Sequence, residues 1–426
     1  MRKASAILLS ILATVAFIST TVKAEDAIPD PFAQVRAQKT NTNSAPVLNA
    51  QAPAPIVIPQ PPSFEAQSWA LMDYYSGRII TEYNSHERIW PASLTKMMTA
   101  YVIGMELKAG RLHMDDDVTI TEDAWAKKYS DSSKMFIEVG KTIQVGDLLK
   151  GIIIQSGNDA CVAMAIHLAG TQEGFVSVMN TYAQKLGLKN THFANVHGLF
   201  DEGNYSTAYD MALLGRAVIR DLPDEYHLYS QKEFTFNGIK QGNRNRLLWD
   251  KTLNVDGIKT GHLSQVGYNL VASALENNMR LIASVIGAKS EKARADHCRS
   301  LLNYGFHYFE QYTPFKANTP LLSRTIRLGN KNVINLGLKN DLSVLIPRGR
   351  QDKIKVSYRL KQSSFRAPLD EGTVLGAIDV KLEDVTLATV PLVSLEKISE
   401  GGFFEKIWDH IVMFFISDNP ETEQEK

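Results

Sequence analysis

The chain has 426 residues, 44% of them hydrophobic, enough for two or three domains with sizeable cores. Lys plus Arg and Asp plus Glu both number 46, so the formal net charge is zero and the basic excess of a nucleic-acid binder is absent. Two cysteines, Cys161 and Cys298, are too few for a disulfide framework, and the apolar run around Cys161 marks that thiol as buried and free.

Arg2 and Lys3 precede an apolar run over 6–18, and Val22-Lys23-Ala24 sets small residues where a signal peptidase reads. The pattern predicts a signal peptide over 1–24 and a mature chain from Glu25. The run is too short to span a bilayer comfortably. Residues 25–62 are rich in Ala, Pro, Gln and Asn and predict a flexible tether, because they offer little apolar surface against the entropy of ordering.

From 63 to 313 the texture is globular. Runs at 67–73 and 78–83 around Tyr75-Ser76-Gly77 predict a hairpin. Helical runs follow at 94–107, 145–155, 160–168, 175–185 and 208–218. Residues 269–275 and 280–286, around Glu276-Asn277-Asn278, predict a second hairpin. Strands at both ends with helices between imply an α+β arrangement, a sheet covered by helices. Short β-rich runs over 316–397, at 333–336, 342–346, 354–360, 374–380 and 385–393, predict a small all-β domain. After Gly401-Gly402, Phe403, Phe404, Ile407, Trp408, Ile411, Phe414 and Phe415 recur at helical spacing. They predict an amphipathic helix over 401–416, followed by a polar tail over 417–426. No Cys/His cluster has zinc spacing, and the stretch 113–117 lacks the Gly and Glu of a calcium loop, so neither metal nor cofactor is expected.

Three short motifs carry chemistry. Ser93-Leu94-Thr95-Lys96 opens an apolar helical run, and residues three apart share a helix face. Lys96 there can reach the Ser93 hydroxyl, a poor nucleophile until a base takes its proton; burial is what makes a lysine such a base. A second copy, Ser394-Leu395-Glu396-Lys397, ends a β-rich run with no helix after it and reads as chance. Ser156-Gly157-Asn158 joins two apolar helical runs; taken alone it is a helix cap. Lys259-Thr260-Gly261 precedes the second hairpin. It suits an edge strand that meets a carboxylate with a charge and a hydroxyl, though a lysine there also guards an edge against pairing. Each motif is weak singly; their joint occurrence in this order is not.

That set is shared by class A β-lactamases and penicillin-binding proteins. With the stretches 155–165, 188–199, 242–249 and 254–274, the segment Ile346-Pro347-Arg348-Gly349 and the phenylalanine-rich end, the chain resembles the low-molecular-mass penicillin-binding proteins over 64–415. These are serine-type D-alanyl-D-alanine carboxypeptidases. The resemblance implies Ser93 as acylated nucleophile and Lys96 as its base. Ser156 and Asn158 would relay a proton and orient the substrate amide. Lys259 and Thr260 would hold the terminal carboxylate, with Gly261 letting the substrate lie close. The backbone amides of Ser93 and His262 would form the oxyanion hole. Arg244 and Arg294 align with family arginines near the carboxylate.

It further implies a peptidoglycan stem peptide as substrate and β-lactams as covalent inhibitors. The leader and the aromatic stripe predict a periplasmic location, with residues 403–416 on the outer face of the inner membrane. Two features depart from the family: the long tether, and a tail made acidic by Glu421, Glu423 and Glu425. A β-lactamase is the alternative, but no Glu-x-x-Leu-Asn stretch lies between Asn158 and Lys259 to speed deacylation. A non-catalytic wall-binding protein would have no need of an intact Ser93 and Lys96. A triad hydrolase lacks its Gly-x-Ser-x-Gly elbow.

Overall fold

A computed structural model describes residues 58–402. The signal segment, the tether up to residue 57, the helix over 403–416 and the tail lie outside the described residues. The first domain is built on five strands: β1 (Ser68–Asp73), β2 (Ile79–Tyr83), and, after two short pairs, β7 (Val255–Leu263), β8 (Gly267–Glu276) and β9 (Met279–Ala288). The short pairs are β3 (Asp117–Thr119) with β4 (Thr142–Gln144), and β5 (Glu233–Phe236) with β6 (Ile239–Gly242). Strand order is β2-β1-β9-β8-β7, all neighbours antiparallel, so β7 is an edge. The β8–β9 turn holds Asn277 and Asn278 at φ 48° and 63°, a left-handed pair that Asn tolerates best among non-glycine residues.

Both faces of this sheet are covered. Met72, Val271, Ile282 and Ile286 face one way, into a core with helices α1 (Lys96–Lys108), α2 (Val145–Lys150), α3 (Asn158–Ala169), α4 (Gln172–Lys185) and α5 (Ala208–Asp221). Leu71, Leu270, Ala272 and Leu281 face the other way, against α6 (Glu291–Tyr308). The two-residue alternation of a strand makes this division. Helix α3 is apolar nearly all round, and its first eight residues are buried. Thr171, Thr207 and Ser290 cap α4, α5 and α6, each accepting from a backbone N–H at 3.0 Å.

Two of the predicted helices change character at the motifs. The run expected from residue 94 begins as a 3₁₀ turn, Ala92–Thr95, and only then becomes α1. The run over 145–155 is α2 followed by a π turn, Gly151–Gln155, which ends at Ser156 in the left-handed conformation, φ 62°. Helix α6 had no counterpart in the sequence reading. Its apolar residues, Ala295, Cys298, Leu301, Leu302 and Phe306, do recur at helical spacing, but diluted by charge.

The second domain is all β. Its strands are β10 (Phe309–Phe315), β11 (Leu322–Arg327), β12 (Val333–Gly337), β13 (Leu342–Pro347), β14 (Ile354–Leu360), β15 (Phe365–Arg366), β16 (Val374–Leu382) and β17 (Val385–Ser394). Six form a sheet in the order β14-β16-β17-β12-β11-β15, and β10 pairs with β13 beside it. Strand β10 follows α6 without a loop, so the stretch after Tyr308 pairs with second-domain residues. Ile334, Leu336, Ile346, Val380 and Leu392 lie in their core.

Candidate active site

The site is assembled at the start of α1, the start of α3 and the free edge of β7. The 3₁₀ turn decides the first contact. Side chains three apart eclipse in such a turn, which brings the Lys96 Nζ to 3.1 Å from the Ser93 Oγ. Ala92, just before, has φ 52°, a strained value for a residue with a Cβ, and such strain is often held at functional positions. The turn is anchored from the sheet, where Asn269 donates to the Pro91 carbonyl at 3.4 Å and accepts from the Gly287 N–H at 2.9 Å.

Lys96 is 1% exposed. Its nitrogen also lies 2.6 Å from Asn158 Oδ1 and 2.5 Å from the His197 carbonyl. Burial pushes the lysine down to about 8, with the Arg244 charge acting in the same sense. A neutral amine has two N–H groups and one lone pair. With both N–H groups donated to Asn158 and His197, the lone pair is left for the Ser93 hydroxyl.

The left-handed Ser156 turns its hydroxyl to Lys259, whose Nζ donates to it at 2.9 Å and to the Thr260 carbonyl at 3.1 Å. Lys259 is likewise pushed well down by burial, then by Lys96. Asn158 donates its amide N–H to Ser132 Oγ at 2.8 Å, which fixes the amide with its oxygen toward Lys96. Ser132 belongs to a loop held by Asp159, whose carboxylate accepts from the backbone N–H groups of Met135, Phe136 and Ile137 at 2.8, 2.9 and 3.2 Å. On the other flank, β7 passes so close that a Cβ on Gly261 would lie 3.0 Å from the Pro91 carbonyl and 3.3 Å from the Ser93 nitrogen.

The result is a cleft of about 630 Å³ whose walls include Ser93, Asn158, Thr260, Gly261 and His262. Arg244 and Arg294 also line it. Arg294, 3% exposed, donates to the Gly261 carbonyl at 3.1 Å and to the Arg244 carbonyl at 3.4 Å; Arg244 reaches Ser133. The His262 ring packs on Tyr268 at 4.2 Å. All ten residues singled out by motif or resemblance therefore meet here, Lys96, Ser156 and Lys259 behind the wall. The second serine–lysine copy does not form such a pair: Ser394 donates to the Glu396 carbonyl and Lys397 pairs with Asp370 at 3.2 Å. Ser132, Asp159 and His197 were not legible in sequence. Their parts are played through tertiary contacts, and no short spacing marks them. Among the described residues no group of three or more His, Cys, Asp or Glu is placed to hold a metal ion.

The family model for D-alanyl-D-alanine carboxypeptidases matches residues 56–290, and that for the penicillin-binding protein 5 C-terminal domain matches 309–400. D-alanyl-D-alanine carboxypeptidase DacA of Escherichia coli (strain K12) is 50% identical over 362 residues, covering 84% of this chain and 90% of that protein.

The chain belongs to the D-alanyl-D-alanine carboxypeptidase family.

Other members extend the likeness. DacC of the same organism is 49% identical over 83% of this chain and 89% of its own length. The solved penicillin binding protein 5 of Haemophilus influenzae covers 80% of this chain and 99% of itself, at TM-score 0.75 and 48% identity. Penicillin-Binding Protein D2 of Listeria monocytogenes, solved in an ampicillin-bound form, covers 58% of this chain and all of itself at 28% identity and TM-score 0.52. The carboxypeptidase fold is thus shared in both domains with the first solved structure, and the family favours a serine-type hydrolase over the β-lactamase and non-catalytic readings.

Proposed function

We propose that this protein removes the terminal D-alanine from peptidoglycan stem peptides through an acyl-enzyme on Ser93. The observation that carries the reading is the setting of Lys96: buried, 3.1 Å from the Ser93 Oγ, in contact with Asn158 and the His197 carbonyl, and pushed by burial down to about 8, so that its neutral form can turn its lone pair to Ser93. Ser93 Oγ attacks the carbonyl carbon of the scissile amide, and its proton passes to the Lys96 amine. Charge on the carbonyl oxygen is met by the Ser93 and His262 backbone N–H groups, a class of interaction that contributes several kcal/mol. The C–N bond then breaks. The leaving D-alanine nitrogen takes that same proton, relayed from Lys96 through Ser156, whose hydroxyl also accepts from Lys259, so Lys96 is neutral again. Water attacks the ester carbonyl, surrenders a proton to the base, and Ser93 regains its own as the tetrapeptide departs.

Arg244 and Arg294 bring positive charge and Thr260 a hydroxyl to one end of the cleft, with the Lys259 amine behind them. That end suits a free carboxylate, and a carboxypeptidase requires one. Asn158 orients the peptide amide, and Gly261 admits the substrate backbone against β7. A β-lactam enters as a strained amide and leaves Ser93 acylated. The apolar leader at 1–24 and the aromatic stripe at 403–416 support a periplasmic enzyme held to the outer face of the inner membrane. No described helix is long and apolar enough to cross a membrane.

The test is incubation with a fluorescent penicillin and, separately, with a peptide ending in D-Ala-D-Ala. Mass spectrometry should find one penicillin adduct, on the peptide containing Ser93, and Ser93→Ala should release no D-alanine. An adduct on another residue overturns the assignment.

A further inference from the structure

Tyr268 stands where the core between the sheet and α6 gives way to the cleft. It is the register partner of His262 across the β7–β8 hairpin, and directly opposed residues of an antiparallel pair share a face of the sheet. Thr260, two residues before His262, lies on that face as well. So does Leu270, two residues after Tyr268, which is buried in the core against α6. The Tyr268 ring packs on that core and also lines the cleft beside Thr260 and His262.

Two cleft residues meet the ring. The His262 ring lies 4.2 Å from it, inclined by 30°. From α6, the Arg294 guanidinium carbon lies over it, 5.6 Å from the centroid, within the range of a cation–π contact. Arg294 has few other partners for its charge. It is almost wholly buried, and burial pulls its guanidinium below the ordinary arginine value. Its ion pair with Glu291 is loose, at 3.8 Å, and its N–H groups go to the neutral carbonyls of Gly261 and Arg244. A ring face differs from a carboxylate in what it leaves behind. A carboxylate would cancel the charge and take up N–H groups, whereas an aromatic face attracts the cation and uses none of its five donors.

We propose that Tyr268 is a positioning residue: its ring face holds the Arg294 guanidinium in place for the substrate's terminal carboxylate while leaving that charge uncancelled. This rests on the carboxypeptidase reading given above. Steady-state kinetics of the full chain on a D-Ala-D-Ala peptide, and on the same peptide amidated at its C-terminus, test it. The wild type should prefer the free acid. Tyr268→Leu removes the ring and should reduce that preference about tenfold, mostly through a higher KM for the free acid, whereas Tyr268→Phe should keep it. Fluorinated phenylalanines placed at position 268 keep the shape of the ring while draining negative charge from its face. The preference should fall with each added fluorine, which a ring needed only for packing would not show. That series also decides the matter if Tyr268→Leu misfolds. Undiminished preference in Tyr268→Leu, its loss in Tyr268→Phe, or a flat fluorine series overturns the proposal and leaves the carboxypeptidase reading standing. A wild type that turns over neither peptide, or both equally well, overturns the two together.

Discussion

Burial governs the chemistry of Lys96. A lysine in water is protonated at neutral pH, and its lone pair is engaged. Here desolvation is the leading cause of a shift to about 8, so near neutrality a usable fraction is already neutral. The sign follows directly: the reactive form is the deprotonated one, so acylation rises with pH through about 8 and levels off above it. Below that point the rate should fall about tenfold per unit. Penicillin acylation rates measured from pH 5.5 to 9.5 check this, and a flat profile would point to a different base. Lys96→Arg keeps the charge but holds its proton throughout that range. It should acylate at least a thousandfold more slowly while unfolding at nearly the wild-type temperature.

At the scale of elements, the groups proposed for catalysis are held by short pieces of unusual backbone rather than by long helices. Gly198, at φ +83°, lies against the turn that bears Ser93; a Cβ there would sit 1.9 Å from the Ala92 carbonyl oxygen. Gly198→Ala must therefore move the turn. It should cost about 2 kcal/mol or more in stability, read by thermal unfolding, and should slow acylation. Asp159 clamps the loop that positions Ser132. Asp159→Asn exchanges one acceptor oxygen for a donor facing backbone N–H groups, at a cost of about 1–3 kcal/mol. If Ser132 acts by orienting Asn158, Asp159→Asn should also lower acylation by about tenfold, and Ser132→Ala should do so with little change in melting temperature. These elements also mark the limits of sequence reading. Ser93 with Lys96, Ser156 with Asn158, and Lys259 through Gly261 are legible because each motif lies on one local element. The π turn, the left-handed Ser156 and the Asp159 clamp are not, since each is imposed by contacts distant in sequence. Helix α6 escaped because seven of its 18 residues, Glu291, Lys292, Arg294, Asp296, His297, Arg299 and His307, carry acidic, basic or imidazole side chains that blur its apolar spacing. Strands β10, β11 and β15 are short or half-buried, and their alternation is faint.

Across the whole molecule, the groups proposed for catalysis and the segment proposed for attachment occupy separate parts of the chain. Every group proposed to act in catalysis lies between Ser93 and Arg294, whereas the aromatic stripe proposed to meet the membrane begins at Phe403. Each aromatic ring taken out of water contributes about 1.5–3 kcal/mol, so several are enough for reversible attachment without many basic residues. Lys406 and His410 are the basic candidates in that segment, ahead of an acidic tail. Attachment should therefore be only weakly sensitive to salt. Deleting 403–426 should move the enzyme from the membrane fraction to the soluble fraction and leave turnover of a soluble D-Ala-D-Ala peptide within twofold. Retention in the membrane fraction, or loss of turnover, would show that the segment is not a detachable anchor.

The five-stranded sheet has one more consequence, for how the protein matures. Cys161 lies in the core on one of its faces and Cys298 in the core on the other, both buried and free. Burial raises both thiols, Cys161 to about 12, so neither offers the thiolate on which oxidation and disulfide exchange depend. The sheet acts as an insulating wall: the two sulfurs can meet only in a chain that has not yet folded. A nascent molecule that folds promptly needs no oxidase or isomerase, and the finished enzyme is indifferent to the redox poise of its surroundings. One that stalls while unfolded is open to a crosslink that its native architecture forbids.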